Sequence, residues 1–490
     1  EEPWLNTLLA RNGYNGRELW RMRLPDGYLV HRSAFIATDD TFYMIDPSGA
    51  GCVLLDPETG REKDRIRIPE APGQWKWMVL HDGTLYVLVG SERDPAGTTV
   101  VRSRIHAWSW LELSQGYYER RVPWGFGKTL LAYDLEGRAV EWLHREETRI
   151  DSRGMALGGG KVFLYAPDAR LACLDAGSGE VVWANDDETL RALIEEPAHG
   201  LLSTPGFRSM CMSVYTPRGL YVQGQTRKNL VAVSTEDGRM MWHRPKTTYN
   251  PNVIYVDGYI YVGIGPKGNT LKLDPRTGET IEDLGFAKRS CARLTATSDS
   301  IFCRANPEGL TRYDRDSGRI LRDGSLRPAC NDGVIGANGL LYTGPWLCDC
   351  NLALMGTVTL CSAGDFEPTP PPNDQRLEAA ANPVPGNPLA VSELDWSVYR
   401  GGTQHTGASR AIVGTPLHEV WKWESGQPFA PTAPTTAGGL VFLAGDDGVV
   451  RALDAATGTL QWTYTTAGPI LQPPTLWEGR AYVGSGDGHV

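Results

Sequence analysis

Three cysteines close together in the sequence are the residues whose type and spacing could do chemistry. Cys330, Cys348 and Cys350 occur in one stretch, with Trp346 beside the last two. Thiolates at such a spacing could bind a soft metal ion such as Cu(I) or Zn(II). A disulfide from Cys330 to Cys348 or Cys350 is favoured at least as much, and plain packing is a third interpretation. The C-x-C spacing lacks the second pair of a zinc knuckle, so the three alternatives stay open.

Two segments rich in unusual residues are candidates for a partner or ligand surface. Residues 91–128 combine aromatic side chains with arginines, a composition typical of protein interfaces and of platforms that stack on sugars. Residues 185–215 contain DDETLRALIEE, which predicts a short helix that starts near Asp186 with acidic residues in its first turn. The candidate surface residues are His106, Trp108, Trp110, Tyr117, Tyr118, Trp124 and Trp346.

A repeated sequence motif, which we call the phrase, indicates the elements that must position these residues. An apolar pair, an Asp, a short turn and a Gly, often followed by Trp, recur through the chain, as in CLDAGSGEVVW, which ends at Trp183, and ALDAATGTLQW, which ends at Trp462. Gly238, Gly278 and Gly318 are spaced by 40 residues, the length of one four-stranded propeller blade. The pattern predicts that each Trp packs against the neighbouring blade. Asp64, Glu282 and Arg322 take the Trp position in three repeats, so this packing cannot be uniform.

This repeat resembles that of the pyrroloquinoline-quinone-type (PQQ-like) β-propeller family. The family includes quinoprotein dehydrogenases and the propeller lipoprotein of outer-membrane protein assembly, so the resemblance implies a fold and leaves the function open. It implies an all-β chain, an eight-bladed propeller of four-stranded antiparallel blades, and an extracytoplasmic, periplasmic location. The dehydrogenases carry an adjacent Cys–Cys pair over the quinone, and this sequence has no such dipeptide. We therefore expect no quinone cofactor.

The repeat boundaries predict a domain organisation. Residues 1–366 are expected to form the eight-bladed propeller, with insertions at 91–128 and 185–215 and with the N-terminal segment completing the last blade near residues 330–363. Residues 367–394 are rich in Pro, Asn and Ala and are expected to form a linker. Residues 395–490 are expected to begin a second propeller, which continues beyond the chain or is completed by another chain.

Composition narrows the classes of function. The net charge of −10 and the pI near 5.5 argue against nucleic acid as a partner. No apolar run approaches the roughly 20 residues of a membrane span. No G-x-S-x-G, H-E-x-x-H, Walker A or C-x-x-C-H motif is present.

Two hypotheses for function follow. The first is a non-catalytic extracytoplasmic scaffold that binds a protein partner through its rim loops and insertions, with no cofactor. The alternative is a redox or metal-dependent enzyme, or a subunit of one, with its site at Cys330, Cys348 and Cys350. Whether the chain is an enzyme stays open, and an oxidoreductase would be the expected class.

Overall fold

Short antiparallel strands make up nearly all of the regular structure. The structure is a computed structural model that describes residues 7–24, 34–90, 125–167, 169–196, 211–224, 228–245, 253–265, 267–289, 292–324, 326–328, 333–344, 358–361, 389–402 and 404–490. The chain divides into two units. Unit 1 comprises Glu1–Arg23, Asp56–Arg61 and Ala363–Val490, and unit 2 comprises Leu24–Leu55 and Glu62–Ser362.

The strands follow one another in chain order. The first hairpin pairs β1 (Thr7–Arg11) with β2 (Glu18–Arg23). Among the described residues of unit 2, six sheets have four strands and one has three. These strands are β3 (Phe35–Ala37), β4 (Phe42–Ile45), β5 (Cys52–Leu55), β6 (Glu62–Ile66); β7 (Gln74–His81), β8 (Thr84–Gly90), β9 (Phe126–Asp134), β10 (Ala139–Asp151); β11 (Ala156–Gly158), β12 (Lys161–Ala166), β13 (Arg170–Asp175), β14 (Val181–Asn185); β15 (Met212–Thr216), β16 (Gly219–Gln223), β17 (Asn229–Val233), β18 (Met240–Pro245); β19 (Val253–Val256), β20 (Tyr259–Gly263), β21 (Asn269–Leu273), β22 (Thr280–Ala287); β23 (Thr295–Ala296), β24 (Ser300–Arg304), β25 (Leu310–Asp314), β26 (Ile320–Asp323); and β27 (Val334–Ala337), β28 (Leu340–Thr343), β29 (Val358–Cys361).

Unit 1 adds a further sheet of the same kind. It is formed by β30 (Thr435–Ala437), β31 (Leu440–Leu443), β32 (Val449–Asp454) and β33 (Leu460–Thr465), and β34 (Thr475–Trp477) pairs with β35 (Arg480–Tyr482) in a two-stranded sheet. A helix, α1 (Glu188–Ile194), lies in unit 2. No helix of the described residues is long and apolar enough to cross a membrane.

The core of unit 2 lies between neighbouring sheets. The middle strands are apolar on both faces, as strands buried on both sides must be. Leu88 and Leu130 of one sheet pack with Leu164 and Leu174 of the next, and all four side chains are fully buried. Burial of each such side chain contributes about 1.5–3 kcal/mol. A blade therefore depends on its neighbours for stability.

The repeated turn has one geometry wherever the phrase occurs. In the turn that starts at Asp175, the carboxylate accepts hydrogen bonds from the amides of Gly177 and Ser178 at 3.0 and 2.8 Å. The hydrogen bond from Ser178 holds the pKa of Asp175 below its usual value. The amide of Gly179 donates to the Asp175 carbonyl at 2.9 Å and closes the turn. Asp supplies the local acceptor and Gly adopts the left-handed conformation that this turn needs.

Five Trp residues pack on the repeated turn, and for the four that end a phrase this is the packing between blades that the sequence predicts. We call this the Trp–turn contact. In each of five examples the indole Nε1 donates to the carbonyl of the second turn residue, at 2.8–3.1 Å. In each a Cβ on the fifth residue, a Gly, would collide with the indole ring. The five pairs are Trp20 with Gly60, Trp142 with Gly179, Trp183 with Gly238, Trp242 with Gly278 and Trp421 with Gly458.

Repeats without Trp use polar contacts instead. Asp64 binds Arg138, which takes the Gly position in the turn of the next blade with a φ of 53°. The hydrogen bond from Arg138 holds the pKa of Asp64 below its usual value. Glu282 accepts a hydrogen bond at 3.2 Å from the hydroxyl of Tyr313, just before the next turn. The expectation that blade packing is not uniform is therefore confirmed.

The predicted fold class is confirmed: the described residues form an all-β structure of mainly four-stranded antiparallel sheets. The count of eight blades stays a prediction. β1 and β2 pair with each other, β27–β29 form a separate three-stranded sheet, and the hairpin groups with unit 1. The predicted boundaries at 366 and 395 and the linker at 367–394 also stay predictions.

Candidate functional site

The candidate site residues predicted from the sequence lie outside the described residues. This applies to Cys330, Cys348 and Cys350, and to His106, Trp108, Trp110, Tyr117, Tyr118, Trp124 and Trp346. The strands that flank them are described. β8 ends at Gly90 and β9 begins at Phe126, while β28 ends at Thr343 and β29 begins at Val358.

These flanking strand ends lie at one end of the blades of unit 2, which we call the loop face. At the loop face, the second strand of each blade stops and the third strand starts. The fourth strand also reaches this face, and from there the chain passes to the next blade. Gly90 pairs with Gln74 at the start of β7, and Phe126 pairs with Asp151 at the end of β10, so all four strand ends share this edge.

Contacts between blades place the second insertion on the same face. The hydroxyl of Ser213, in β15 after the insertion, donates to the carbonyl of Gly154 before β11 at 3.1 Å. The opposite end of the blades contains the two-residue hairpin turns and the Asp-x-x-x-Gly turns. The described strand ends next to the segments richest in unusual residues therefore all lie at the loop face.

The predicted helix of the second insertion is confirmed and is fixed to the loop face. α1 begins after Asp187, whose side chain accepts a hydrogen bond from the Thr189 amide. Its Leu190 and Ile194 are buried. The hydroxyl of Tyr165 donates to Glu195 at 2.8 Å just beyond the helix. The helix is therefore packed against unit 2 through these two side chains.

Buried cations near the loop face are the residues that the sequence reasoning missed. Lys76, Lys288, Arg304 and Arg327 are each at most 3% exposed, in a chain with a net charge of −10. Arg304 donates to Glu308 at 2.9 Å. The sequence did carry a signal: Lys76 lies inside QWKWMVLH and Arg304 ends SIFCR, both otherwise apolar strands.

Glu146 is the centre of a partly buried charge cluster near the loop face. Its carboxylate forms hydrogen bonds with His144 Nε2 and Arg170 Nη2, both at 2.8 Å. Burial alone would raise the pKa of Glu146, but the hydrogen bonds from His144 and Arg170 outweigh it and leave this pKa below its usual value.

This lowered pKa predicts how stability depends on pH. Because folded Glu146 binds its proton less readily than unfolded Glu146, its contribution is present above the unfolded pKa of about 4.3 and is lost as pH falls through the folded pKa. Glu146→Gln should therefore flatten the loss of thermal stability between about pH 5 and pH 3. Thermal unfolding of the full chain measures this. Glu147→Gln, at an exposed neighbour, is the control, and an equal effect of both variants would contradict the assignment.

Four of the five described cysteines are buried. Cys52, Cys173 and Cys303 are buried free thiols, Cys211 is buried, and Cys361 is exposed and free. Burial raises the pKa of Cys52 and of Cys303 to about 12, so both stay protonated at neutral pH. The described residues contain no disulfide and no cluster of three or more His, Cys, Asp or Glu that could hold a metal ion.

A polar cavity of about 230 Å³ lies in unit 1. Its deepest charged group is Asp447, whose side chain is fully buried and pairs with Arg17 and Arg451. Asn15 Nδ2 donates to the Asp447 carbonyl at 2.6 Å. The ion pairs of Asp447 with Arg17 and Arg451, together with the hydrogen bond from Asn15, hold the first hairpin in unit 1.

Comparison with known proteins finds similarities to the C-terminal part of the chain and to its fold. Residues 418–490 match the model of a family described as PQQ_2, outer membrane protein assembly factor BamB. The resemblance to the PQQ-like propeller family is confirmed. The quinoprotein alcohol dehydrogenase PedE of Pseudomonas putida is 36% identical over 93 residues, which are 19% of this chain and 15% of PedE. The 1-butanol dehydrogenase (quinone) of Thauera butanivorans is 33% identical over 87 residues, 17% of this chain and 14% of that protein.

Among solved structures, BamB from Moraxella catarrhalis covers 93% of each chain at 13% identity with a TM-score of 0.36. The dihydro-heme d1 dehydrogenase NirN in complex with DHE covers 95% of this chain and 78% of its own, at 10% identity and a TM-score of 0.40. Neither likeness carries an argument about function. The chain spans 14–15% of the length of the curated dehydrogenases named above.

Proposed function

We propose that this protein is a non-catalytic extracytoplasmic scaffold that binds a protein partner through the loop face of unit 2. The observation that carries the proposal is that the strand ends flanking both insertions and the segment 344–357 all lie at that face. Functional differences between proteins built on one scaffold concentrate in such loops.

The composition of the loop-face segments supports a protein partner. Aromatic and arginine side chains, which are abundant in residues 91–128, dominate the energetics of protein interfaces. Among the described residues of unit 2, the opposite end of the blades consists of short turns, several of which already form a Trp–turn contact or a polar contact in its place. The family match to an assembly factor agrees with this role.

The residues present do not fit the quinone of the dehydrogenase relatives. The sequence contains no adjacent Cys pair, and the buried described thiols Cys52, Cys173 and Cys303 lie in separate sheets. We therefore derive no reaction step through a quinone.

A redox or metal-dependent site at Cys330, Cys348 and Cys350 is the second candidate function. It is favoured by one observation: β28 and β29 bring the segment that contains Cys348 and Cys350 to the loop face. Metal analysis of the purified protein, with thiol titration before and after reduction, tests it. A metal-free protein in which Cys330 forms a disulfide would refute the proposed metal site.

The domain organisation is part of the proposal. Residues 1–366 would form the eight-bladed propeller and residues 395–490 part of a second one, joined by the linker at 367–394.

Site-specific photocrosslinking of the full chain in cells tests the scaffold role. The probe is placed at Glu188 on α1 at the loop face, and at Glu236 on the turn at the opposite end of the adjacent blade; both are exposed. We expect a discrete adduct with a different protein from position 188 and none from position 236. Equal adducts from both positions, or none from position 188, would refute the proposal.

A further inference from the structure

Four consecutive sheets of unit 2 carry exposed apolar side chains next to their repeated turns. They are the sheets β11–β14, β15–β18, β19–β22 and β23–β26, and their first strands contact one another in this order. In each sheet the third residue after the turn is apolar and 37–49% exposed; these residues are Val182, Met241, Ile281 and Leu321. In three other turns this position is taken by Lys63, Glu141 and Gln461. The apolar side chains therefore form an arc along four neighbouring sheets.

The residue just after each of these turns is charged, and the sign of the charge alternates along the arc. In chain order these residues are Glu180, Arg239, Glu279 and Arg319, and all four are exposed. Arg239 pairs with Asp237 of its own turn at 2.6 Å. The other three form no side-chain hydrogen bond or ion pair with the described residues. The arc is therefore lined by charges whose opposite partners the described part of the chain does not supply.

The alternating charges are complementary to themselves. A two-fold axis between the second and third of these sheets places the first sheet of one copy on the fourth of the other, and the second on the third. Glu180 then lies opposite Arg319 of the second copy, and Arg239 lies opposite Glu279, with each contact made twice. The same axis brings the apolar side chains of one arc onto those of the other.

The turns of the two central sheets follow the same rule. The third turn residue is Glu236 in the second sheet and Arg276 in the third, and both are exposed without a side-chain partner among the described residues. The hairpins at the same end of these sheets contain Arg218 and Asp257, both exposed, and Asp257 also binds Arg315. The two-fold axis brings Glu236 opposite Arg276, and Arg218 opposite Asp257. The axis therefore brings together four kinds of oppositely charged pair.

We propose that the turn face, which is formed by the repeated turns and hairpins of these four sheets, binds the turn face of a second copy of this chain about a two-fold axis. The partner is a second copy because the order of charges along the face is the complement of the same order read backwards. The apolar arc supplies the area removed from water, and the ion pairs fix the orientation of the two copies. The turn face is at the opposite end of the blades from the loop face, so this inference does not depend on the proposed scaffold role.

Sedimentation velocity of the full chain over a range of micromolar concentrations tests the proposal, and we expect an equilibrium between monomer and dimer. Arg239→Glu places a carboxylate opposite Glu279 of the second copy, and Glu279→Arg places two cations opposite each other. Exposed ion pairs contribute little individually, but repulsion replaces attraction here and the axis doubles each change. Each variant should therefore weaken dimerisation at least about tenfold.

Reversal of both charges together is the more specific test. The double variant Arg239→Glu/Glu279→Arg restores opposite charges across the axis and should dimerise like the unmodified chain. A mixture of the two single variants should form mixed dimers, because one variant supplies both carboxylates and the other both cations. A fluorescent label on one variant detects these dimers. Pairing of neighbouring sheets within one chain cannot produce this result, so mixed dimers show contact between copies.

Two further variants complete the design. Glu188→Arg makes the same charge reversal at the loop face, where Glu188 is exposed, and should leave dimerisation unchanged. Ile281→Ser removes apolar area from the arc and should weaken dimerisation at least about tenfold, since the axis doubles the loss. A chain that stays monomeric at all these concentrations would overturn the proposal, as would a mixture of the single variants that associates no better than either alone.

Discussion

Replacement of Trp142 by alanine is expected to lower the free energy of unfolding by about 3–5 kcal/mol. The indole is only 8% exposed, lies over Gly179 and donates to the Ala176 carbonyl at 2.8 Å. Its removal leaves a cavity between two blades and an acceptor without its donor. Since each blade is stabilised by its neighbours, the loss should appear in the first unfolding transition of the full chain in urea.

Two control variants separate the contribution of the N–H donor from that of the packed ring. Trp142→Phe keeps a ring on the turn and loses the N–H donor, so it should cost about 1–2 kcal/mol. Trp462→Ala removes a Trp from the same repeat position that is 42% exposed and has no turn of the described residues over it. It should cost less than about 1 kcal/mol. A loss for Trp142→Ala no larger than that for Trp462→Ala would contradict the structural role of the Trp–turn contact.

The repeat predicted much of this fold because the period and the residue types carried independent signals. A 40-residue spacing indicated blades, and Asp and Gly at fixed positions indicated a turn with a left-handed residue. The Trp four residues later predicted the packing between blades that Trp183 and Trp242 show. The acidic residues near Asp186 also predicted α1, because helix capping depends on residues that are adjacent in the sequence.

Other contacts could not be predicted because they depend on partners far away in the sequence. Asp64 showed only that a Trp was missing; the structure adds Arg138 of the next blade as its partner. Arg304 reads as a charge at a strand end, and only its neighbouring elements make it buried.

The candidate site, too, was predicted in part from the sequence and depends in part on the tertiary structure. Sequence alone identified the two insertions and the cysteine stretch by their departure from the repeat. It could not show that they share a face, because that depends on which strand ends meet, as Gly90 and Phe126 do with the ends of β7 and β10. Strand direction within a blade supplies this information, and it brings the strand ends that flank the three segments to one face.

Gly238→Ala is expected to cost about 3 kcal/mol, through two separable causes. Gly238 has a φ of 74°, and the strain of a side chain there costs about 1–2 kcal/mol. A Cβ at this position would also lie 2.7 Å from Trp183 Cζ3, so the indole must move from its place between blades. Displacing a packed group adds about 1–3 kcal/mol.

A double-mutant cycle separates strain from collision. In a Trp183→Ala background the collision is gone, so Gly238→Ala should cost only about 1–2 kcal/mol, and the coupling energy should be at least about 1 kcal/mol. Gly160→Ala is the matched control, because Gly160 has a φ of 68° and open space around it. Gly160→Ala should lower the free energy of unfolding by the backbone strain alone, and by the same amount in both backgrounds. If Gly238→Ala and Gly160→Ala cost the same in the unmodified chain, the glycine is required by the turn alone, and the close approach of the indole contributes nothing to the choice of residue.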